Sequence, residues 1–194
     1  MRKFLRVRKG WRMAWIPAIV AVAIVAWFVG TYNSLVRLKN QFLNAWHQID
    51  VQLKRRYDLI PNLVEVVKDY MSYEQETLTK VIEARGTAIS ARGAKEQGKA
   101  ESLLTESLKS LFAVVERYPE LKANQNVASL QEELSGTENK ISFARQFYND
   151  SVMTYNNRIQ SIPSNIIASV FQFGPAEYFE GGEEARTVPK ADLR

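Results

Sequence analysis

The side chains that most often carry catalysis or bind metal ions are scarce in this chain of 194 residues. It contains no cysteine and a single histidine, His47, whereas a zinc site or an activated nucleophile needs cysteine or several histidines. The Glu-x-x-His pattern that holds paired metal ions in helical bundles is also missing from the sequence. His47 lies between Trp46, a core-type residue, and polar Gln48, which favours a surface or half-buried structural histidine. We therefore predict neither a metal site nor a cofactor site.

Carboxylates are plentiful, but their clusters indicate solvated surfaces rather than a catalytic pair. The pairs Glu74/Glu76, Glu132/Glu133 and Glu183/Glu184 are typical of a solvated helix face or a charged tail. A hydrolase-like enzyme with two carboxylates buried together remains an alternative, and it would show a strongly raised carboxylate pKa in a cleft. No catalytic residue is predicted, and we expect a protein that is not an enzyme.

The N-terminal region has the composition of a membrane anchor. Residues 1–12 carry six basic residues and no acidic one, and no charge follows until after Val36. The apolar residues 13–32 supply the roughly 20 residues that a helix needs to cross a bilayer. The predicted anchor residues are interfacial aromatics and a proline in the first turn, where its missing N–H costs little: Trp15, Pro17, Trp27 and Tyr32.

The alternative for this region is a secretory signal that is removed after export. Ala21-Val22-Ala23 has the small-x-small form of a cleavage site, but it lies inside the apolar run rather than after it. A retained anchor, with the lipid bilayer as its partner, is therefore favoured.

Charge also predicts the orientation of the anchor. Six basic residues precede it, while residues 31–45 contain only Arg37 and Lys39, so the leader is expected in the cytoplasm and the rest of the protein on the other side. The net charge is +5 for the whole chain, and the leader contributes +6, so residues 13–194 sum to −1. The high isoelectric point is thus a topology signal, and no nucleic-acid partner is expected.

Residues 33–162 show apolar residues at helical spacing almost throughout, which predicts an all-α protein. Four amphipathic helices are expected, over about 33–57, 61–85, 99–118 and 126–162. Asp58 and Pro61 mark the end of the first, a cluster of Gly86, Gly93 and Gly98 marks a connection, and Pro119 and Pro163 end the last two. Four helices with one apolar stripe each predict an antiparallel up-down four-helix bundle that continues from the anchor helix.

The C-terminal segment, residues 163–194, has a different character. A short helical turn is expected at 165–168, and an extended aromatic tail follows it. Four aromatic residues within nine positions are too apolar for a solvated linker: Phe171, Phe173, Tyr178 and Phe179. They are expected either to dock on the bundle or to form an interface with another molecule.

Two blocks of the sequence resemble the LemA family of bacterial membrane proteins. The first runs from Tyr32 to Asn40 and from Ala45 to Val64, and it contains Arg55-Arg56-Tyr57-Asp58-Leu59-Ile60-Pro61-Asn62-Leu63-Val64. The second comprises Tyr155-Asn156, Ile162-Pro163-Ser164-Asn165-Ile166-Ile167-Ala168 and Phe171-x-Phe173. The resemblance implies a single anchor, a four-helix bundle and a location in the bacterial inner (cytoplasmic) membrane, and it implies no catalytic residues.

The first of these blocks contains a candidate interaction corner made of Arg55, Arg56, Asp58 and Asn62. One interpretation is a capped, ion-paired turn in which Asp58 accepts backbone N–H groups and an arginine binds carbonyls at the helix end. The other is a contact surface at the tip of the bundle far from the membrane. A rigid turn is also a good docking site, so the two interpretations are compatible.

The sequence therefore predicts a non-enzymatic, membrane-tethered helical scaffold or adaptor of the cell envelope. Self-association, and contact with other envelope proteins, is expected because apolar residues exceed what one stripe per helix can bury: Val36, Leu43, Val51, Phe143, Phe147 and Val170. An envelope sensor or small-ligand-binding module is the first alternative, and it would show a polar group within an apolar cavity.

Overall fold

A computed structural model describes residues 15–71 and 73–180. Within these ranges every regular element is a helix, so the prediction of an all-α protein is confirmed. The helices are α1 (Trp15–Lys68), α2 (Gln75–Ser90), α3 (Gly93–Val115), α4 (Pro119–Lys122), α5 (Gln125–Gln160) and α6 (Ser164–Val170). The predicted basic leader, residues 1–12, and the end of the predicted tail, 181–194, lie outside the described residues.

Helix α1 has 54 residues, and its first part is the uncharged apolar stretch. Among the described residues it is the one helix that is long and apolar enough to cross a membrane. Only 6% of the most apolar 18-residue segment of this helix is buried within the protein. Long apolar side chains that have no protein around them are typical of a membrane span rather than of a core helix.

The prediction that the first helix ends at Asp58 and Pro61 is wrong, because Pro61 lies inside α1. A proline in a helix leaves the carbonyl four residues earlier without its N–H partner. That carbonyl belongs to Tyr57, and it accepts a hydrogen bond from Arg85 Nε at 2.8 Å. Because α2 supplies the missing donor, α1 continues to Lys68, and α2 begins only at Gln75 rather than at residue 61.

The prediction that Gly86, Gly93 and Gly98 form a connection is also largely wrong. Gly86 lies inside α2 and Gly98 inside α3, and only Ala91 and Arg92 separate the two helices. Gly93 opens α3 with a φ of 79°, a conformation that favours glycine. Glu96 Oε2 accepts the Arg92 backbone N–H at 3.3 Å, a capping contact that starts α3 several residues before the predicted position.

Prolines and an asparagine mark the boundaries of the later helices. Helix α3 ends at Val115, and Pro119 opens α4, where its missing N–H costs nothing. Asn124 Oδ1 accepts the backbone N–H of Asn126 at 2.9 Å and so caps the start of α5. Helix α5 ends before Pro163, as predicted, and α6 contains the predicted turn at 165–168.

The chain divides into two compact units. Of the described residues, the first comprises 15–41 and 153–175, and the second comprises 42–71, 73–152 and 176–180. In the second unit, apolar residues of α1, α2, α3, α4 and α5 share a buried core, which includes Ile60, Leu63, Val81, Leu104, Leu121 and Leu134. Most residues of the predicted stripes are buried or half-buried. The exceptions are Tyr70, Leu103 and Ile162, which are 44%, 55% and 84% exposed.

Candidate functional site

The most unusual polar feature of the second unit is a buried ion cluster around Arg56. The Arg56 side chain is 3% exposed, and its Nη1 donates a hydrogen bond to Glu101 Oε2 at 3.0 Å. Its Nη2 donates to Thr105 Oγ1 at 2.9 Å. Nη1 also lies 2.6 Å from Glu138 Oε2, an ion pair that lacks the alignment of a hydrogen bond. One guanidinium of α1 is therefore shared by carboxylates of α3 and α5.

Tyr57 and Gln97 complete the cluster. The Tyr57 hydroxyl donates to Glu101 Oε1 and accepts a hydrogen bond from Gln97 Nε2 at 2.8 Å. Gln97 Nε2 also lies 3.1 Å from the Ala88 carbonyl oxygen and 3.2 Å from Glu101 Oε1. These contacts connect four helices, α1, α2, α3 and α5, through polar side chains next to the apolar core.

Burial dominates the electrostatics of this cluster. Burial raises the pKa of Glu101 above its ordinary value, although the bonds from Tyr57, Arg56 and Gln97 act in the opposite direction. Burial and the bond to Glu101 likewise raise the pKa of Tyr57. The nearby Glu138 carboxylate adds a smaller effect in the same direction as burial, because two negative charges repel each other.

The buried carboxylate of Glu101 does not line the cavity that borders the cluster. A cavity of about 450 Å³ borders the cluster at Tyr57 and Gln97, and its walls include Trp46, Lys54 and Arg92. The Glu101 side chain is only 4% exposed and is not among the residues that line this cavity. A general acid or base must reach the substrate directly or through one water molecule. Glu101 therefore lies apart from this cavity and is held by Arg56.

The predicted interaction corner is not a corner, because all four of its residues lie on the continuous α1. Arg55 is exposed and pairs with Glu133 at 3.3 Å, while Asp58 and Asn62 are exposed and cap no helix start. Sequence reasoning missed Glu101 and Glu138. Arg56 did carry a signal, since it falls between Leu53 and Ile60 on the buried stripe of α1, where a charge needs a partner.

Part of the aromatic tail docks within the second unit. Phe179 is 2% exposed, its ring lies 6.1 Å from that of Trp46, and Arg145 lies over it at 5.6 Å. Asn149 Nδ2 donates to the Phe179 carbonyl at 3.1 Å, and its Oδ1 accepts the Phe179 N–H at 2.9 Å. Tyr148 adds a hydrogen bond from its hydroxyl to the Glu177 carbonyl at 2.8 Å. Phe179 is thus a core residue of this unit.

A glycine makes this docking possible. The tail backbone at Glu180 passes so close to α3 that a Cβ on Gly98 would lie 1.9 Å from the Glu180 carbonyl oxygen. Burial raises the pKa of Tyr148 to about 12, so its hydroxyl keeps its proton and remains a donor to the tail at neutral pH. Tyr178, in contrast, is 42% exposed.

The remaining tail aromatics belong to the first unit. The ring of Phe171 lies 4.7 Å from Tyr32 and 5.9 Å from Phe28, and the ring of Phe173 lies 5.8 Å from Tyr32. The Tyr155 hydroxyl donates to the Gly174 carbonyl at 2.9 Å. Tyr32, proposed as an interfacial residue, therefore also packs on the tail. A role of the four tail residues in binding other molecules stays a prediction.

The other predicted anchor residues lie in the apolar part of α1. Trp15 is 70% exposed and Trp27 is 44% exposed, while Pro17 falls in the first turn of the helix. Exposed indole rings near the two ends of an apolar stretch are the arrangement that interfacial anchoring requires.

An apolar groove lies between α1 and α5 in the second unit. It has a volume of about 610 Å³, and its walls are His47, Gln48, Val51, Gln52, Lys140, Phe143, Ala144 and Phe147. Phe143 is 74% exposed, Val51 63% and Phe147 46%. Leu43, one helical turn before His47 on α1, is exposed as well. We call this feature the α1–α5 groove.

The described residues contain no evident metal site. Over 15–71 and 73–180, no three side chains among His, Cys, Asp and Glu are grouped in a way that could hold a metal ion. His47 is largely exposed, and its Nδ1 lies 3.9 Å from Asp50 Oδ2, which makes it a surface histidine at the rim of the groove.

Comparison with known proteins gives consistent relatives over most of the chain. Magnetosome protein MamQ 2 of Paramagnetospirillum magneticum is 25% identical over 191 residues, which cover 85% of this chain and 70% of the relative. Protein LemA of Metamycoplasma hominis is 26% identical over 169 residues, which cover 86% of this chain and 77% of the relative.

The family model of the LemA family matches residues 45–192, which include the block around Pro61 and the closing block with Phe171 and Phe173. The resemblance carried by these two blocks is confirmed, and the chain belongs to the LemA family.

Proposed function

We propose that this protein is a membrane-anchored helical scaffold, without enzymatic activity, whose copies assemble side by side through the α1–α5 groove. The observation that carries the proposal is the exposure of Val51, Phe143 and Phe147 around one concavity. Solvated monomers seldom expose contiguous apolar patches of more than a few hundred Å². Two aromatic rings and a valine around a groove are therefore best explained by a surface that another protein covers.

The composition of the groove favours a second copy as the occupant. Its centre is apolar and aromatic, while its edge carries His47, Gln48 and Lys140, the pattern of an interface core with a polar rim. Copies that are anchored in one membrane share an orientation and meet laterally. A two-fold contact needs the same patch on both partners, and a groove flanked by a protruding ring such as Phe143 can supply both the pocket and the side chain that fills it.

The buried polar cluster supports a structural role rather than catalysis. Glu101 is bound by Arg56, Tyr57 and Gln97 at once, so both of its carboxylate oxygens have partners within the protein. Structural ion pairs perturb pKa values as active sites do, and the missing access to a substrate separates the two cases here. No specific contact favours a hydrolase or a small-ligand module.

The finer architecture belongs to the same proposal. We infer that the helices of the second unit form an antiparallel up-down four-helix bundle and that residues 13–32 cross the bacterial inner membrane. The six basic residues of the leader support a cytoplasmic N-terminus, which leaves the bundle on the extracytoplasmic side. Contact with other envelope proteins would then occur on that side.

The proposal is tested by charges placed in the groove. Val51→Glu and Phe143→Glu, each in the full-length protein in lipid nanodiscs or mild detergent, are compared with wild type by light scattering. The wild type is expected to form a species larger than a monomer, and either variant is expected to shift it to the monomer, since an unpaired charge in an apolar contact is costly.

Ile82→Glu is the matched control, because Ile82 is also an exposed apolar residue of the second unit, 53% exposed, outside the groove. It should leave the assembly unchanged, and circular dichroism should show that all three variants stay helical. A wild type that is monomeric at every concentration, or groove variants that assemble like the wild type, would contradict the proposal.

A further inference from the structure

A stripe of large apolar side chains runs along α6 and the residues just before it, on the outside of the first unit. Ile162, Ile166 and Val170 are spaced four residues apart and are 84%, 61% and 65% exposed. The opposite face of α6 is buried through Ser164, Ile167 and Ala168. The outward face of a surface helix that is in contact with water is normally polar. In α6, by contrast, the outward face is apolar at Ile166 and Val170, in addition to the buried face.

The stripe adjoins the end of the apolar part of α1. Phe171 follows α6 directly, is 45% exposed, and makes ring contacts with Phe28 at 5.9 Å and Tyr32 at 4.7 Å. Phe28 belongs to the apolar stretch of α1, and Tyr32 is the last residue of the predicted membrane span. The exposed stripe is therefore continuous with a surface that a bilayer would cover.

The charges of the first unit suit an anionic lipid surface. Its described residues, 15–41 and 153–175, contain the basic residues Arg37, Lys39 and Arg158 and no Asp or Glu. Every described acidic residue belongs to the second unit instead. Basic residues next to apolar ones are the composition of helices that lie in the membrane interface and bind anionic headgroups.

We propose that Ile162, Ile166, Val170 and Phe171 form a second membrane contact, in which α6 lies in the interface of the bilayer beside the spanning helix. The apolar side chains enter the boundary between headgroups and acyl chains, and Arg37 and Arg158 contact anionic headgroups. This inference rests on the membrane anchoring in the proposed function and is independent of self-association through the groove.

A second contact has a mechanical consequence. A single helix that crosses a bilayer is free to tilt and to rotate about its axis unless neighbouring elements or interfacial residues restrain it. Phe171 links α6 to Phe28 and Tyr32 of the anchor, so lipid contact of α6 would fix the rotation of α1.

The absence of cysteine from the chain permits a direct test. Single cysteines at Ile166 and Val170 of the full-length protein are labelled with an environment-sensitive nitrobenzoxadiazole probe. The protein is reconstituted into vesicles of phosphatidylcholine and phosphatidylglycerol, with or without lipids brominated near the top of the acyl chain. Ile82→Cys is the control, since Ile82 has similar exposure but lies in the second unit.

The probes at 166 and 170 are expected to emit at shorter wavelength than the probe at 82 and to be quenched by the brominated lipid, while the probe at 82 is not. A blue-shifted emission without lipid quenching would mean that protein, such as a second copy, covers the stripe, and it would overturn the inference. Emission equal to that of the control would overturn it too. Flotation of the same vesicles distinguishes the α6 contact from the membrane anchoring. Protein that floats with the vesicles but has unquenched probes contradicts the α6 contact alone. Protein that does not float contradicts the anchoring as well.

Discussion

Arg56 shows how one residue can determine the packing of three helices. It lies on the buried stripe of α1, where a charge without partners would cost several kcal/mol, and Glu101 and Glu138 supply those partners. A buried ion pair adds little net stability compared with apolar residues of the same volume, but the loss of one partner leaves the other charge unpaired. The cluster therefore restricts which arrangements of α1, α3 and α5 are stable.

The first prediction compares two adjacent arginines. Arg56→Ala is expected to destabilise the protein by about 3–5 kcal/mol, because it leaves the buried Glu101 carboxylate without its cation. Arg55→Ala should cost about 0–1 kcal/mol, because the Arg55–Glu133 pair is exposed. Urea unfolding of the full-length protein in micelles, followed by circular dichroism, measures both. Equal losses would show that the Arg56 cluster has no special role.

The second prediction concerns pH. Burial raises the pKa of Glu101 above its ordinary value of 4.5, so the folded protein holds this proton more tightly than the unfolded chain. The resulting stabilisation is complete below about pH 4.5 and is lost as the pH rises through the raised pKa of the folded state. Glu101→Gln removes this titration.

We therefore expect the stability of wild type relative to Glu101→Gln to fall as the pH is raised from about 4 to about 7. Unfolding free energies of both proteins across that range give the comparison. If the unfolding free energy of wild type relative to Glu101→Gln stayed constant or rose with pH, the direction assigned to the pKa of Glu101 would be contradicted.

At the scale of helices, sequence patterns predicted the apolar stripes but misplaced several ends. Pro61 was interpreted as a helix end because a proline removes a backbone donor. Its effect is cancelled by Arg85, which comes from a different helix and is 28 residues away from Tyr57 in sequence. Gly98 was interpreted as part of a connection, whereas it is needed inside α3 because the tail passes over it. Both errors have one cause, a long-range contact that local propensity does not encode.

The third prediction uses two helical glycines that differ only in their surroundings. Gly98→Ala is expected to destabilise the protein by about 1–3 kcal/mol, because its Cβ would meet the backbone of Glu180. Gly86→Ala should stabilise it by about 0.5–1 kcal/mol, because nothing lies within 4 Å of its Cβ and alanine favours the helix.

Hydrogen exchange locates the damage. The Phe179 amide, which donates to Asn149, should exchange faster in Gly98→Ala and at the wild-type rate in Gly86→Ala. Unchanged protection of Phe179 in Gly98→Ala would show that the tail does not need the close approach to α3.

At the scale of the whole molecule, composition and motifs predicted the family and the helical class, since both depend on properties that a linear sequence contains. The positions at which the aromatic residues of the tail pack could not be predicted in the same way. Phe179 enters the core of the second unit and Phe171 packs on Tyr32 in the first unit, although the two are only eight positions apart. The carboxylate partners of Arg56 were missed for a similar reason, because Glu101 and Glu138 lie 45 and 82 positions away from it in the sequence.

The fourth prediction concerns topology. A cysteine at Tyr73, a residue that is 96% exposed, should react with a membrane-impermeant thiol reagent in intact spheroplasts, whereas a cysteine in place of Met1 should not. The expectation follows from six basic residues before the apolar stretch and two shortly after it. The reverse labelling pattern would place the second unit in the cytoplasm.

The central claim is lateral assembly through the α1–α5 groove, and disulfide cross-linking in native membranes tests it most directly. In an otherwise cysteine-free protein, Val51→Cys is expected to form a covalent dimer on mild oxidation, because two copies of the groove face each other. Ile82→Cys, outside the groove, is expected to remain monomeric under the same conditions. A second groove variant, Phe147→Cys, probes the facing wall. The account would be contradicted if neither Val51→Cys nor Phe147→Cys formed a covalent dimer, or if Ile82→Cys cross-linked while the groove variants did not.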